Sequence, residues 1–295
     1  MQEKLYSTRL RLLQNKLTVL PDKAEETAEN TLHALWSTAT GNPISVMQSA
    51  SIKLQNLSEQ QLFILDELID KRLTGQPLAY LTGRQSFMGM IMLARKDALI
   101  PRKETEILAS AAINVANEFT PDSITIIDVC TGAGNIALAI AKHCSHVNVY
   151  AADLSEEATI LARENAEFLG LSSRVKFMSG DLLSPFIVLS LQGKVSLITC
   201  NPPYISTSKV SAMPTEISSH EPKLAFDGGA FGINLIKRLI TEADELLTDD
   251  GVLVFEVGHG QAAMISKLVE KSGIYTKVET VTDPAGHPRV IIARK

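Results

Sequence analysis

No stretch of this chain offers the roughly 18 consecutive apolar residues that a membrane-spanning helix needs, so no membrane role is expected. Cysteine is scarce as well. Cys130, Cys144 and Cys200 are the only three, no two of them form a C-x-x-C pair, and none stands at a zinc-ligand spacing with the six histidines. A disulfide framework is thereby excluded, no metal is expected, and reduced thiols suit a cytoplasmic protein. A basic excess is missing too. With a net charge of −5 the chain lacks the electrostatic footprint of a phosphate-backbone binder, which argues against nucleic acid as a direct substrate. The opening MQEKLYSTRLRLLQNKLTVL lacks the uninterrupted apolar run of a signal peptide, so the expectation is a soluble, unexported chain.

What is present is ordinary globular material: 295 residues, 45% hydrophobic and 21% charged, enough to bury a core in two domains. Residues 1–75 read as a helical domain. Leu5, Leu10, Leu12, Leu13 and Leu17 recur at helical steps, Gly41 with Asn42-Pro43 breaks the pattern, and a further helix is predicted between Ser58 as N-cap and Gly75 as the residue that ends it. Such a cap commonly recruits a substrate; a plain packing module would look the same. Residues 76–100 read as a linker holding a short β-hairpin in SFMGMIML. The second domain is expected over 101–295, opening on a helix in KETEILASAAINVANEF.

From Ser123 the rhythm becomes strand, turn, helix: SITIIDVC, NIALAIAKHC, VNVYAAD, SEEATILARENAEFLG, VKFMSGD, KVSLITCNPP, GINLIKRLITEADELL and GVLVFEVG. Alternation of this kind predicts an α/β fold with a mostly parallel sheet covered on both faces. The last two strand-like runs flank Asp283-Pro284-Ala285-Gly286 with no helix between them, which predicts an antiparallel pair at one edge. Ligands of such sheets bind beyond the carboxyl ends of the strands.

Gly132 and Gly134 follow the first of these strands and Asn135 opens a helix, a turn whose missing Cβ atoms let a ligand lie against the backbone. Gly132-x-Gly134-x-x-Ala137 also fits the dinucleotide fingerprint, so this turn alone does not separate NAD from another adenosine cofactor. Asp153 ends the next strand, 19 positions beyond Gly134, where a carboxylate can accept from ribose hydroxyls or, alternatively, cap the following helix. Asp181 ends a third strand, placed to meet an adenine amino group with Leu182 behind the ring, or simply to face water in a turn.

A different kind of signal ends the fourth strand, in LITCNPPYIS. Two consecutive prolines can neither extend a ladder nor continue a helix, so the chain leaves its strand in a stiff turn that displays Asn201 and Tyr204. A lone Asn-Pro is more often structural. Beside an adenosine pocket, however, a hydride-transfer enzyme would need a catalytic His, Tyr-Lys or Arg, whereas this turn suits a planar amino group. The Asn201 oxygen and the Pro202 carbonyl can accept the two N–H bonds of an –NH₂ group while Tyr204 covers its plane, which favours methyl transfer from S-adenosylmethionine to nitrogen by alignment and electrostatics.

Together Asp128-Val-Cys-Thr-Gly-Ala-Gly134, Asp153 and Asn201-Pro-Pro-Tyr204 resemble the motifs of class I S-adenosylmethionine-dependent methyltransferases, with their Rossmann-like sheet. GQPLAYLTGRQSFMG, LIPRKETE and HEPKLAFDGG narrow the resemblance to the HemK-like family, the N5-glutamine methyltransferases of peptide-chain release factors, over about Ala24 to Lys295. The resemblance implies cofactor contacts at Cys130, Thr131, Gly132, Ala133, Gly134, Asp153, Asp181, Leu182 and Asn201. It implies that Asn201, Pro202, Pro203 and Tyr204 hold the glutamine amide, with Asn201, Pro202 and Tyr204 carrying catalysis. The implied partner is a release factor, bound at its Gly-Gly-Gln loop and recruited in part by the helical domain. Two segments depart from the family pattern: Cys130 stands where the family usually has Gly, and Lys103-Glu104 where it has Pro-Asp. Three other readings compete: an adenine-N6 methyltransferase of nucleic acid sharing the same clamp, a paralogue methylating another amide or amine, and an idle scaffold.

Overall fold

The computed structural model describes residues 2–119, 124–210, 213–229 and 233–295, so Ser123 and Gly232, expected within a strand and a helix, lie outside the described residues. The chain divides into two compact units, Met1–Lys96 with Pro214–Glu221, and Asp97–Met213 with Pro222–Lys295.

The first unit is built on helices α1 (Gln2–Lys16), α2 (Ala28–Ala39), α3 (Glu59–Leu73) and α4 (Leu78–Thr82). Leu13, Leu32, Leu35, Trp36, Leu65, Ile69 and Leu78 form its buried core. Ser58 begins α3 as expected: its hydroxyl accepts from Gln61 N while the Gln61 side chain accepts from Ser58 N, and Gly75 ends the helix at φ +95°. The hairpin, β1 (Arg84–Phe87) and β2 (Met90–Leu93), turns through Met88 and Gly89, both at positive φ, the backbone that matches a two-residue connection to strand twist. It belongs to this unit, and Ser86 Oγ lies 2.7 Å from Ser45 Oγ.

The second unit runs α5 (Thr105–Ala116), β3 (Ile124–Val129), α6 (Asn135–His143), β4 (Val147–Asp153), α7 (Glu156–Phe168), β5 (Val175–Ser179), α8 (Ser184–Ile187), β6 (Val195–Cys200) and α9 (Thr207–Val210). The chain then returns to the first unit for α10 (Thr215–Ser218) before completing the second with α11 (Asn234–Leu246), β7 (Leu247–Glu256), α12 (Ala262–Ser272), β8 (Lys277–Thr282) and β9 (Pro288–Arg294). The strands order as β5-β4-β3-β6-β7-β9-β8. All pairs from β5 to β7 are parallel, and β9 pairs antiparallel with both β7 and β8, so the expected antiparallel edge is present. Every residue of β6 is buried, as a central parallel strand requires. The order reverses between β3 and β6, and the crevice at a reversal is where such sheets bind ligands.

The return through α10 puts Glu216 among the buried charges of the helical unit. Arg72, 2% exposed, donates to Glu26 and Glu216, each at 2.7 Å, and Lys23 also pairs with Glu216. Removing one member of such a set strands its partners in a dry interior. Arg72→Met should therefore lower the stability of this unit by about 3–5 kcal/mol. Trp36, the single tryptophan and itself in that core, reports the transition by fluorescence in urea; an unchanged midpoint would contradict the role given to the cluster.

Candidate active site

The site begins with a carboxylate that water cannot reach. Asp128, fully buried near the end of β3, accepts from Thr131 Oγ1 at 2.6 Å and from Thr199 Oγ1 at 2.7 Å. Burial pushes its pKa up to about 7, and the two threonine hydroxyls oppose that rise. One hydroxyl comes from the loop after β3 and the other from β6, so the acid ties the two sides of the crevice together.

The loop Cys130–Gly134 is held from within. Thr131 N donates to Ala152 O, Gly134 N to Thr131 O, and Gly132 N to Asp153 Oδ2 at 2.8 Å, while Asn165 Nδ2 donates to Ala133 O. At Gly132 a Cβ would meet no protein atom within 4 Å, so the space beside this glycine is open. At Gly134 the same atom would come within 3.1 Å of Ala162 and Phe177, so this glycine serves the packing of the loop on α7 and β5. Cys130 holds φ +55°, the left-handed region that glycine occupies freely, which is the conformational reason a glycine suits this position.

A cavity of about 340 Å³ opens over this loop. Of the residues expected in the site, Cys130, Thr131, Gly132, Asp153, Asp181, Leu182, Asn201 and Pro203 line it; Ala133, Gly134, Pro202 and Tyr204 do not. Asp153 does not cap α7, a task that falls to Ser155, whose hydroxyl accepts from Ala158 N. Its carboxylate accepts instead from Gly132 N and Ser155 N, and burial raises its pKa. The Asp181 carboxylate is engaged by Arg238 at 2.9 and 3.2 Å, so an adenine amino group would share it with a guanidinium. Leu182, buried at φ +46°, gives the cavity an apolar wall.

At the end of β6 the two prolines turn the chain out of the sheet, and Ile205 bridges to Asp227. Thr207 Oγ1 and Gly229 N both donate to Asp227, which accounts for the AFDGG segment: it fastens the chain that leaves the clamp. Asn201 Nδ2 donates to Thr105 Oγ1 at 3.2 Å. Tyr204 does not line the cavity; its hydroxyl donates to Glu256 Oε1 at 3.0 Å, with burial raising the phenol's pKa and the Glu256 charge adding to the rise. Gln261 Nε2 donates to Tyr204 O, and a Cβ at Gly258 would lie 3.0 Å from the ring, so the segment after β7 seats the tyrosine.

Sequence reasoning missed Thr105, Glu256, Gln261 and Arg289. The signal for Glu256 was available, since an acid closing an apolar strand is the feature that singled out Asp153. Arg289 carried none, because it reaches Glu256, at 3.6 Å, only through the antiparallel pairing of β9 with β7.

The Methyltransferase small domain family matches residues 105–233. The chain is 38% identical over 227 residues to the release factor glutamine methyltransferase of Moorella thermoacetica, an alignment covering 77% of this chain and 78% of that one. To the enzyme of the same name from Thermodesulfovibrio yellowstonii it is 34% identical over 240 residues, covering 81% and 84%. Among solved structures the METTL16 methyltransferase domain shares the fold, with a TM-score of 0.51 at 20% identity over 69% of this chain and 87% of that one. The glycine turn, the strand-end acids and the Asn-Pro-Pro-Tyr exit therefore stand in a chain that, by likeness along most of its length, belongs to the release factor glutamine methyltransferase family.

Proposed function

We propose that the protein transfers the methyl group of S-adenosylmethionine to the side-chain amide nitrogen, N5, of a protein glutamine in the Gly-Gly-Gln motif of a peptide-chain release factor, a cytoplasmic step that serves translation termination. The observation that carries this reading is the meeting in one cavity of Asp153, above a turn left open at Gly132, with Asn201 on a stiff strand exit. The cavity's residues fit the cofactor. The oxygens of Asp153 keep lone pairs for ribose hydroxyls beyond the two backbone bonds they accept, and Leu182 offers an apolar surface to a base. When bound, S-adenosylmethionine supplies an electrophilic methyl group on a sulfonium.

The chain's own task is to make a poor nucleophile react. An amide nitrogen shares its lone pair with its carbonyl, so it must be held in the attacking orientation and its growing positive charge must be met by fixed dipoles. Asn201 Oδ1 and the Pro202 carbonyl accept its two N–H bonds, set its plane and present negative ends to the nitrogen. An adenine amino group would satisfy the same two acceptors; the acidic composition and the named relatives favour glutamine. The helical unit we assign to recruitment. Phe63 on α3 is 67% exposed and Met47 57%, apolar side chains open to a protein partner.

Asn201→Ala should leave S-adenosylmethionine affinity nearly unchanged and slow single-turnover methyl transfer to release factor by roughly a hundredfold, the scale of losing an aligned, charge-stabilising acceptor. A folded variant that binds cofactor and transfers at the parent rate would rule the clamp out. Phe63→Glu should instead raise KM for intact release factor at least several-fold, leaving the rate at saturating substrate intact, since a recruiting contact is equally made in ground and transition states. An unaltered KM would remove α3 from the recruiting surface.

A further inference from the structure

The stiff exit Asn201-Pro-Pro-Tyr204 aims its acceptors only if both of its ends are held. The sheet holds the near end, since Cys200 closes β6, buried and paired with Val129 of β3 and Phe255 of β7. Between the ends each proline locks its φ near about −65°, which leaves little but ψ to vary at positions 202 and 203. Where Tyr204 is fixed therefore decides where the Pro202 carbonyl points.

The segment that follows β7 grips Tyr204 twice. The tyrosine hydroxyl donates to Glu256 Oε1 at 3.0 Å, and its main-chain carbonyl accepts from Gln261 Nε2 at 3.1 Å. The Gln261 carboxamide is itself oriented, because its Oε1 accepts from Gly258 N at 2.9 Å, which turns its NH₂ toward Tyr204. A Cβ at Gly258 would lie 2.6 Å from Gln261 Oε1 and 3.0 Å from the Tyr204 ring, so a glycine is what lets these groups close on one another. Glu256 is 2% exposed, and its Oε2 has no hydrogen-bond partner among the described residues. The hydrogen bonding of this buried carboxylate therefore rests on Oε1, where Tyr204 donates and where Arg289, 3.6 Å away, balances the charge. The base of the grip is the sheet again: Glu256 pairs with Val290 across β7 and β9, and Val257 N donates to Arg289 O at 2.9 Å. Glu256, Gln261 and Tyr204 do not line the cavity, so their effect on an acceptor passes through the clamp.

We propose that Glu256 and Gln261 are positioning residues for methyl transfer: by holding Tyr204 at its hydroxyl and at its carbonyl they fix the far end of the clamp, and so aim the Pro202 carbonyl and Asn201 Oδ1 at the substrate nitrogen. This rests on the reading of the site as an amide-nitrogen methyltransferase. It makes Tyr204 an anchor of the clamp rather than a cover over the substrate plane.

The test uses the full-length protein and two variants. Tyr204→Phe keeps the ring and removes only its hydroxyl; Gln261→Glu keeps the acceptor for Gly258 N and removes the donor to Tyr204 O. In single-turnover methylation of a release factor at saturating S-adenosylmethionine and acceptor, each should transfer about tenfold more slowly than the parent, the cost of a misaimed clamp. The half-saturating release factor concentration and the S-adenosylmethionine affinity should stay within about twofold of the parent, because alignment is lost and binding is not. A ring that merely covered the substrate is preserved in Tyr204→Phe, which would then transfer at the parent rate. Separately, in ¹⁵N-labelled protein without acceptor, the side-chain amide signals of Asn201 should move in both variants while those of Asn30 on α2 stay in place. Parent rates at saturation, or unmoved Asn201 signals, overturn the inference, and Gln261→Glu, at a half-buried position, keeps the test decisive should Tyr204→Phe fail to fold. A parent protein that methylates no glutamine, while both variants still move the Asn201 signals, overturns the functional reading and leaves the grip on the clamp established.

Discussion

A carboxylate sealed inside a sheet has to find its donors in the chain, and Asp128 finds them in Thr131 on the loop after its own strand and Thr199 on the neighbouring strand. Left unsatisfied, such a group would cost several kcal/mol, so its two donors are held in place as firmly as it is. Thr131 fixes the open glycine turn. Thr199 fixes β6 two residues before Asn201. The loop after β3 and the end of β6, both of which line the cavity, are thereby held together by one buried acid.

Four adjacent strands, β4, β3, β6 and β7, bring their carboxyl ends to this crevice, and each carries a polar side chain there with a separate task. Asp153 faces the cavity and Asp128 joins the loop to β6. Asn201 presents an amide. Glu256 sits behind the clamp on Tyr204. Burial raises the pKa of all three acids, and local donors oppose it in each case: threonine hydroxyls at Asp128, backbone N–H groups at Asp153, and Thr105, Arg289 and Tyr204 at Glu256. Parallel strands make this convergence possible, because their carboxyl ends all open on the same side of the sheet.

Much of this was legible from local chemistry. The alternation of strand and helix, the cap at Ser58 and the antiparallel edge all depend on neighbours a few residues apart, and they appear where the pattern placed them. That Gly132 and Asp153 line one cavity follows from equally local features, a glycine turn and an acid at the next strand end. What could not be read depends on register and on returns of the chain. Pro214–Glu221 rejoins the helical unit to bury Glu216 against Arg72, a pairing across 144 positions with no local signature. Tyr204, expected over the substrate plane, has its hydroxyl on Glu256, 52 positions away. Asp181, expected to meet a base, meets Arg238 of α11.

We propose that this crevice directs methyl transfer to an amide nitrogen. Incubating the protein with S-adenosylmethionine carrying a labelled methyl group and an intact release factor, then locating the label by mass spectrometry of the digested product, tests it most directly. The label is expected on the side-chain nitrogen of the glutamine in Gly-Gly-Gln. Label absent from that glutamine, and found instead on the adenine amino group of an RNA offered in the same mixture, would contradict it.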